Sequence, residues 1–163
     1  LVSQYQRPVF NAAYRILGNV DDAADTTQIV FLKVFEHLAD FDPKFKFFSW
    51  VYRIAINESL NQVKKRKDHE PLADSQASPW QSPDEELESG RLCNRVQGAM
   101  MQLSADYRAV VVLKHITGCS YQQISEILQL PEKTVKSRLY SARQAMRKIL
   151  QTDEGQVGGV EQS

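Results

Sequence analysis

The chain has 163 residues with 20 basic and 20 acidic side chains, a length that suits one ordinary domain or two small ones and a balance that by itself argues for no polyanionic partner. No apolar run approaches the roughly 20 residues that cross a bilayer, and no signal peptide is visible, so the expectation is a cytoplasmic protein without membrane insertion. Cys93 and Cys119 lie outside any CxxC pair and read as small buried thiols or as a single disulfide, and His37, His69 and His115 are scattered, so neither a metal site nor a cofactor is expected. The chain begins at Leu1 in mid-pattern, which suggests that native residues precede it.

Residues 1–17 form the first predicted helix, with Tyr5, Phe10, Ala13, Ile16 and Leu17 as its apolar stripe, Pro8 as a kink or true first turn, and Gly18 as its stop. A second helix is predicted over 21–39. Asp21, Asp22 and Asp25 crowd its positive end, and Val30, Phe31, Val34, Phe35 and Leu38 are its expected core. After a loop over 40–48, a third helix runs from Ser49 to about Lys67. Tyr52, Ala55, Ile56, Leu60 and Val63 form its core face. Arg53, Asn57, Asn61 and Lys64, with Trp50 above them, fall within about 80° on another face at 100° per residue. Amides hydrogen-bond base edges and rings stack them, so this strip suits single-stranded nucleic acid; plain core packing of Trp50 and a solvated surface for the asparagines are the alternatives.

Residues 68–84 carry three prolines and no periodicity and are predicted to be a flexible linker, with Trp80 as its one large apolar side chain. A helix over 85–103 should turn Leu92, Val96, Ala99, Met100 and Leu103 inward. Another, capped by Ser104, should run from Ala105 to Thr117 over Val110, Val111, Leu113 and Ile116, with Gly118 ending it.

Ser120 then opens the most informative stretch, SYQQISEILQLPEKTVKSRLYSARQAMRKIL. Ser120 and Gln123 have the spacing of a capping box, and Ile124, Ile127 and Leu128 give a short apolar face. Pro131 has no N–H to donate and forces a break, and Glu132 restarts the helix with a carboxylate at its positive end. Val135, Leu139, Ala142, Met146, Ile149 and Leu150 form the buried seam of the second helix. Its other side carries Lys133, Lys136, Ser137, Tyr140, Ser141, Gln144, Arg147 and Lys148, with Arg138 and Arg143 on the shoulders. From Lys133 to Lys148 there are six basic residues and no acidic one. A short helix, a tight turn and a basic second helix make a helix-turn-helix whose second helix suits a major groove; a solvated helical hairpin is the bland alternative. After Leu150 the sequence offers no core and is expected to fray.

Neutrality therefore hides a strong local division. Residues 68–90 carry seven acidic groups and no basic one, whereas residues 91–163 carry ten basic and six acidic ones, and Lys64 to Lys67 add a basic tetrad. No strand-period segment appears. The expected fold is all-α, two small helical domains (1–67 and 85–151) joined by a flexible linker over 68–84, the second ending in the helix-turn-helix and followed by a disordered tail over 152–163.

Three strings, LVSQYQRPVFNAAYRILGNVDDAADTTQIVFLKVF, FSWVYRIAINESLNQVKKRK and LSADYRAVVVLKHITGCSYQQISEILQLPEKTVKSRLYSARQAMRKIL, resemble in order and spacing the extracytoplasmic-function (ECF) sigma factors of the bacterial sigma-70 family. The resemblance implies a factor that directs RNA polymerase core to promoter DNA and helps to melt the minus-ten element. Asp22, Asp25, Gln28 and Phe31 match the surface that binds the β′ clamp helices. Trp50, Arg53 and Asn57 match the element that captures a base of the opened minus-ten strand. Lys136, Ser137, Arg138, Tyr140 and Ser141 match the helix that reads the minus-thirty-five duplex, in a module that sits on the β flap. An anti-sigma factor is a further implied partner. The chain departs from the pattern at Ile29, where glutamate is common, at Ser141, where arginine is common, and at Gln129, which stands where the turn usually has glycine and so requires a residue in a strained backbone conformation.

No paired acid and base, phosphate-cradling glycine loop or partnered nucleophile is present, so no catalysis is expected. The rival readings are a conventional helix-turn-helix transcription regulator with an N-terminal sensing or dimerisation module, and a helical adaptor that binds no DNA.

Overall fold

The computed structural model describes residues 2–44, 46–69 and 88–160. Seven α-helices account for most of them: α1 (Val2–Leu17), α2 (Val20–His37), α3 (Phe47–His69), α4 (Glu88–Met101), α5 (Ala105–Val111), α6 (Tyr121–Leu128) and α7 (Glu132–Val160). A 3-10 turn, Leu38–Asp40, follows α2, and a π turn, Val112–Ile116, continues α5. The described residues contain no strand, as the absence of period-two patterning predicts.

Helices α1, α2 and α3 pack on one another, and α4, α5 and α6 pack around α7. Within the first group Val9, Val30, Val34, Val51 and Ala55 form one buried cluster and Ala13, Leu17 and Ala23 a second. The largest cluster does not respect the division. Ala12 and Ile16 of α1 and Tyr52 and Ile56 of α3 share a core with Met100, Leu103, Leu113, Cys119, Ile124, Ile127, Val135 and Leu139. Each large apolar side chain buried here contributes about 1.5–3 kcal/mol, so the two helical groups are docked through a common core rather than merely tethered. Polar contacts reinforce the seam: Arg15 Nη1 donates to Gln97 Oε1 at 3.0 Å, and Gln97 Nε2 donates back to the Arg15 carbonyl at 3.5 Å. Gly18 has φ +72°, a conformation that favours glycine, and a β-carbon there would lie 2.7 Å from the tip of the Met101 side chain, which would have to turn aside.

Several expectations change. Helix α1 begins at Val2 and continues past Pro8, which is therefore not its first turn; the proline forfeits one hydrogen bond but lies on the exposed side while Val9 and Ala12 anchor the helix. Phe35 and Leu38, expected in the core, are 59% and 49% exposed. Leu92 and Ile116, also expected inside, are exposed as well, and so is Cys93; both cysteines are free thiols. In each case the helix carries more apolar residues than its neighbours cover. The helix expected to end at Thr117 widens into the π turn, with Thr117 N–H bonded to the Val112 carbonyl at 2.9 Å and Cys119 N–H to that of Leu113 at 2.9 Å. Helix α7 continues to Val160 instead of fraying after Leu150, since no proline interrupts it and Thr152 Oγ1 bonds back to the Lys148 carbonyl at 2.8 Å. Most of the linker expected over 68–84, Trp80 included, lies outside the described residues; Asp68 and His69 belong to α3.

The helix-turn-helix forms as its residues dictate. Ser120 Oγ accepts from Gln123 N–H at 3.2 Å while Gln123 Oε1 accepts from Ser120 N–H at 2.9 Å, closing the capping box. Gln129 ends α6 at φ 56°, ψ 48°, and the Ser125 hydroxyl bonds to the Leu130 carbonyl across the turn. A side chain in this left-handed region costs roughly 1–2 kcal/mol, part of which glycine would return through its larger unfolded-state entropy. Gln129→Gly is therefore expected to raise stability by roughly 0.5–1 kcal/mol. Urea denaturation of the two chains side by side checks it, and a lowered midpoint would show that the turn stores no strain.

Candidate nucleic-acid interface

Three surfaces carry the residues singled out from sequence. On α3, Arg53, Asn57, Asn61 and Lys64 are exposed along one strip, while Val51, Tyr52, Ala55, Ile56 and Ser59 are buried on the other sides. No side-chain hydrogen bond ties Asn57 or Asn61 to another described residue, so their amides face outward with donor and acceptor both free. Trp50 is half-buried in an aromatic cluster, 5.1 Å from Phe41 and 5.6 Å from Phe47 between ring centroids, with Tyr5 against Phe47 at 5.5 Å. It combines packing with partial exposure, at the end of the strip nearest the loop before α3. That loop is shaped by an Asx turn in which Lys44 N–H donates to Asp42 Oδ1 at 3.0 Å.

On α2, Asp25 and Gln28 are exposed and Phe31 is half-buried. Asp22 is engaged differently: its carboxylate pairs with Arg66 of α3, whose other nitrogen donates to the Leu17 carbonyl at 3.2 Å. On the same side of the helix as Asp25 and Gln28 lie Leu32, 62% exposed, and Phe35. Sequence reading missed Leu32 and assigned Phe35 to the core, although both follow Gln28 and Phe31 at helical spacing; a helix apolar on most sides hides which stripe is free. Phe31, Val34, Phe35 and Leu38 join Tyr5, Phe47 and Val51 around an apolar cleft of about 350 Å³. Beneath α2, the buried Glu58 carboxylate is paired with Lys33 and locks α3 in place.

On α7, Lys133, Lys136, Ser137, Tyr140 and Arg143 are exposed, and Arg138 and Ser141 are half-buried. Tyr140 is 65% exposed on the outward side of the helix. Arg143 Nε donates to His115 Nε2 at 3.1 Å. Partial burial, with the neighbouring Arg143 and Lys114 charges, holds the His115 pKa below the usual histidine value, which keeps the imidazole neutral and able to accept that bond. Behind this shoulder an apolar cleft of about 480 Å³ opens between α4, α5 and α7, floored by Val96, Met100, Val111, Ile116, Met146 and Leu150 and rimmed by His115, Arg143 and Arg147. Deeper in the seam, burial pushes the Tyr52 hydroxyl up to about 12 and the Cys119 thiol up to about 11, so both stay neutral, and Cys119 is no reactive thiolate.

Fold and faces together define the class: an all-helical protein ending in a basic helix-turn-helix, with a separate exposed polar strip on its third helix. Residues 1–69 match the family model of sigma-70 region 2, and residues 93–146 match that of sigma-70 region 4. The chain is 33% identical over 162 residues to the ECF RNA polymerase sigma factor SigW of Bacillus subtilis, covering 92% of this chain and 87% of that one. Its fold is similar to that of the sigma factor RpoE in complex with the anti-sigma factor NepR from Bartonella quintana, with a TM-score of 0.76 at 22% identity over 93% of this chain and 95% of that one. It is likewise similar to CnrH in complex with the cytosolic domain of CnrY, with a TM-score of 0.70 at 25% identity over 94% and 86% of the two chains. The chain belongs to the sigma-70 family, in its ECF group of RNA polymerase sigma factors. The matches to regions 2 and 4 in order do not favour the reading as a conventional helix-turn-helix regulator. No helix among the described residues is long and apolar enough to cross a membrane.

Proposed function

We propose that the chain divides the work of a sigma factor among these three faces and performs no chemistry itself. The outer face of α2 holds the β′ clamp helices of polymerase core through Asp25, Gln28 and Phe31, extended by Leu32 and Phe35. The Arg53, Asn57, Asn61 and Lys64 strip, with Trp50, takes unpaired bases of the minus-ten element. Helix α7 enters the major groove of the minus-thirty-five element, and the cleft behind it receives an apolar segment of the β flap. The observation that carries this reading is the strip on α3: two amides, an arginine and a lysine held outward, without side-chain partners among the described residues, on a helix that buries Val51, Tyr52, Ala55, Ile56 and Ser59. Asp22 contributes through α3, by its pairing with Arg66, more than by direct contact.

Promoter binding then requires the docked core to open. By their positions the two elements lie about 25 base pairs apart, roughly 85 Å of duplex at about 3.4 Å per pair. A compact 163-residue body has a radius of gyration of roughly 15 Å and is about 40 Å across. The stretch between His69 and Glu88 is 18 residues, long enough to reach about 60 Å. We assign the docked arrangement to the factor off the promoter, in the cytoplasm. The anti-sigma factor NepR in complex with RpoE supports such a partner for this chain too.

The test is association with core polymerase followed by run-off transcription from a random promoter pool. Asp25→Arg and Phe35→Ser, both on exposed positions, are expected to weaken core binding about tenfold or more while leaving the melting temperature nearly unchanged. Unchanged affinity with a lowered melting temperature would return both residues to a structural role, since acidic groups at a helix N-terminus also stabilise it by about 0.3–1 kcal/mol.

A further inference from the structure

Asn57 and Asn61 stand on the part of α3 that apolar contacts with α2 do not reach. At about 100° per residue, Val51 and Ala55 face α2, where they share a buried cluster with Val30 and Val34. Farther along, the same side of α3 reads Glu58, Gln62 and Arg66, with no apolar residue. Two ion pairs replace the apolar contact there. Glu58 pairs with Lys33 and Arg66 with Asp22, and each pair joins α3 to α2. They fall on either side of Asn61, and Glu58 follows Asn57 directly. Glu58 is 8% exposed, so its carboxylate has left water to meet the lysine. Well-packed apolar residues in place of a buried ion pair are often neutral or stabilising, so stability alone does not call for this one. What the pair adds is a fixed direction.

Opening of the docked core makes that direction matter. Tyr52, Ile56 and Leu60, on another side of α3, pack in the core shared with the second half of the chain. Once the halves part on the promoter, this side loses much of its cover. The pairs to α2 are then what sets the roll of α3 where the two asparagines stand. We propose that Lys33 and Glu58 are positioning residues for base capture, holding the Asn57 and Asn61 amides in register without touching a base themselves. Lys33 follows Leu32, on the face assigned to the clamp helices, so the pair refers the strip to the helix that polymerase holds. The proposal rests on the reading of the α3 strip as the site for unpaired bases.

The experiment uses holoenzymes carrying each full-length variant, at a temperature where circular dichroism finds every chain folded. Open complexes are measured on a selected promoter, and base preference on premelted bubble templates that vary one minus-ten position at a time. Lys33→Arg keeps the pair and is expected to match wild type. Lys33→Met with Glu58→Leu exchanges the pair for apolar contact, so melting temperature and core affinity should stay near wild type. Open complexes should nevertheless fall about fivefold, short of the full loss of an amide contact. Base preference should blur at the position that Asn57→Ala blurs. Wild-type opening and preference in this double variant would mean that the pair only holds two helices together, and the proposal falls. If the double variant does not fold, Glu58→Gln, which keeps the size of the side chain, replaces it with the same readouts and the same result against. Asn57→Ala, run in parallel, separates the two levels of failure. If it blurs the preference and the pair variants do not, the positioning role falls and the strip stands; if none of them does, both fall.

Discussion

Asn57→Ala is expected to leave core binding and closed-complex formation nearly unchanged while lowering open-complex formation about tenfold, the loss that follows when about 1–2 kcal/mol of hydrogen bonding to an unpaired base is removed. The argument begins with placement. Asn57 is exposed, its side chain without a partner among the described residues, between the buried Ile56 and the buried Glu58, which is paired with Lys33. The backbone that carries it is therefore fixed although its amide is free, and substitution costs the fold little. A base in duplex does not offer its pairing edge, so the contact forms only after melting, when unstacking has already cost a few kcal/mol. Permanganate reactivity of promoter thymines reports the melting. A premelted bubble template should restore part of the opening yet leave base preference blurred at one minus-ten position. If Asn57→Ala opens every promoter as wild type does, or if it unfolds the chain, the amide is a surface or structural group and the strip reads no base.

What made Asn57 legible in sequence is what made the fold legible: period. Helix α3 alternates between residues that neighbours cover and residues they leave open, and the strip could be placed before any coordinates. The capping box at Ser120 and the left-handed Gln129 were legible for a related reason, since both are local and a few consecutive residues determine them. Phe35, Leu38, Leu92 and Ile116 were not. Each sits on a helix with apolar side chains on more than one face, and which face is covered depends on partners distant in sequence. The π turn at Val112–Ile116 left no local signature either. The shared core is the largest case. Tyr52 and Ile56 have the periodicity of any buried stripe, and nothing in that pattern says that Leu113, Cys119 and Ile127 from the other half of the chain are what cover them.

That shared core has a price on both sides, and its balance bears on the step that lets the factor work. Closure buries Ile16, Tyr52, Ile56, Leu113 and Ile127 together. Against it stands Arg108, buried near the seam, whose Nη1 finds only the Met101 sulfur at 3.4 Å and whose Nε has no partner among the described residues. Burial pulls its pKa down, the mark of a charge poorly compensated, and rehydrating such a group favours opening. A docked state stabilised by apolar contact yet weakened by one charge is suited to open when polymerase offers better contacts. The largest expected effect follows from preventing that opening. In a Cys93→Ser background, Arg15→Cys with Gln97→Cys places one thiol on each side of the contact that the longer side chains now close at 3.0 Å, a gap for a short cross-linker to span, while Cys119, 2% exposed, stays out of reach of reagent. A short bis-maleimide should then join the two halves without disturbing the core. The cross-linked factor is expected to lose run-off transcription from a selected promoter by about 100-fold or more, because geometry forbids both elements being engaged at once. Each single-cysteine chain treated with the same reagent should keep its activity. A cross-linked chain that still initiates like wild type would mean that the docked arrangement is compatible with promoter binding, and the opening step would have to be abandoned.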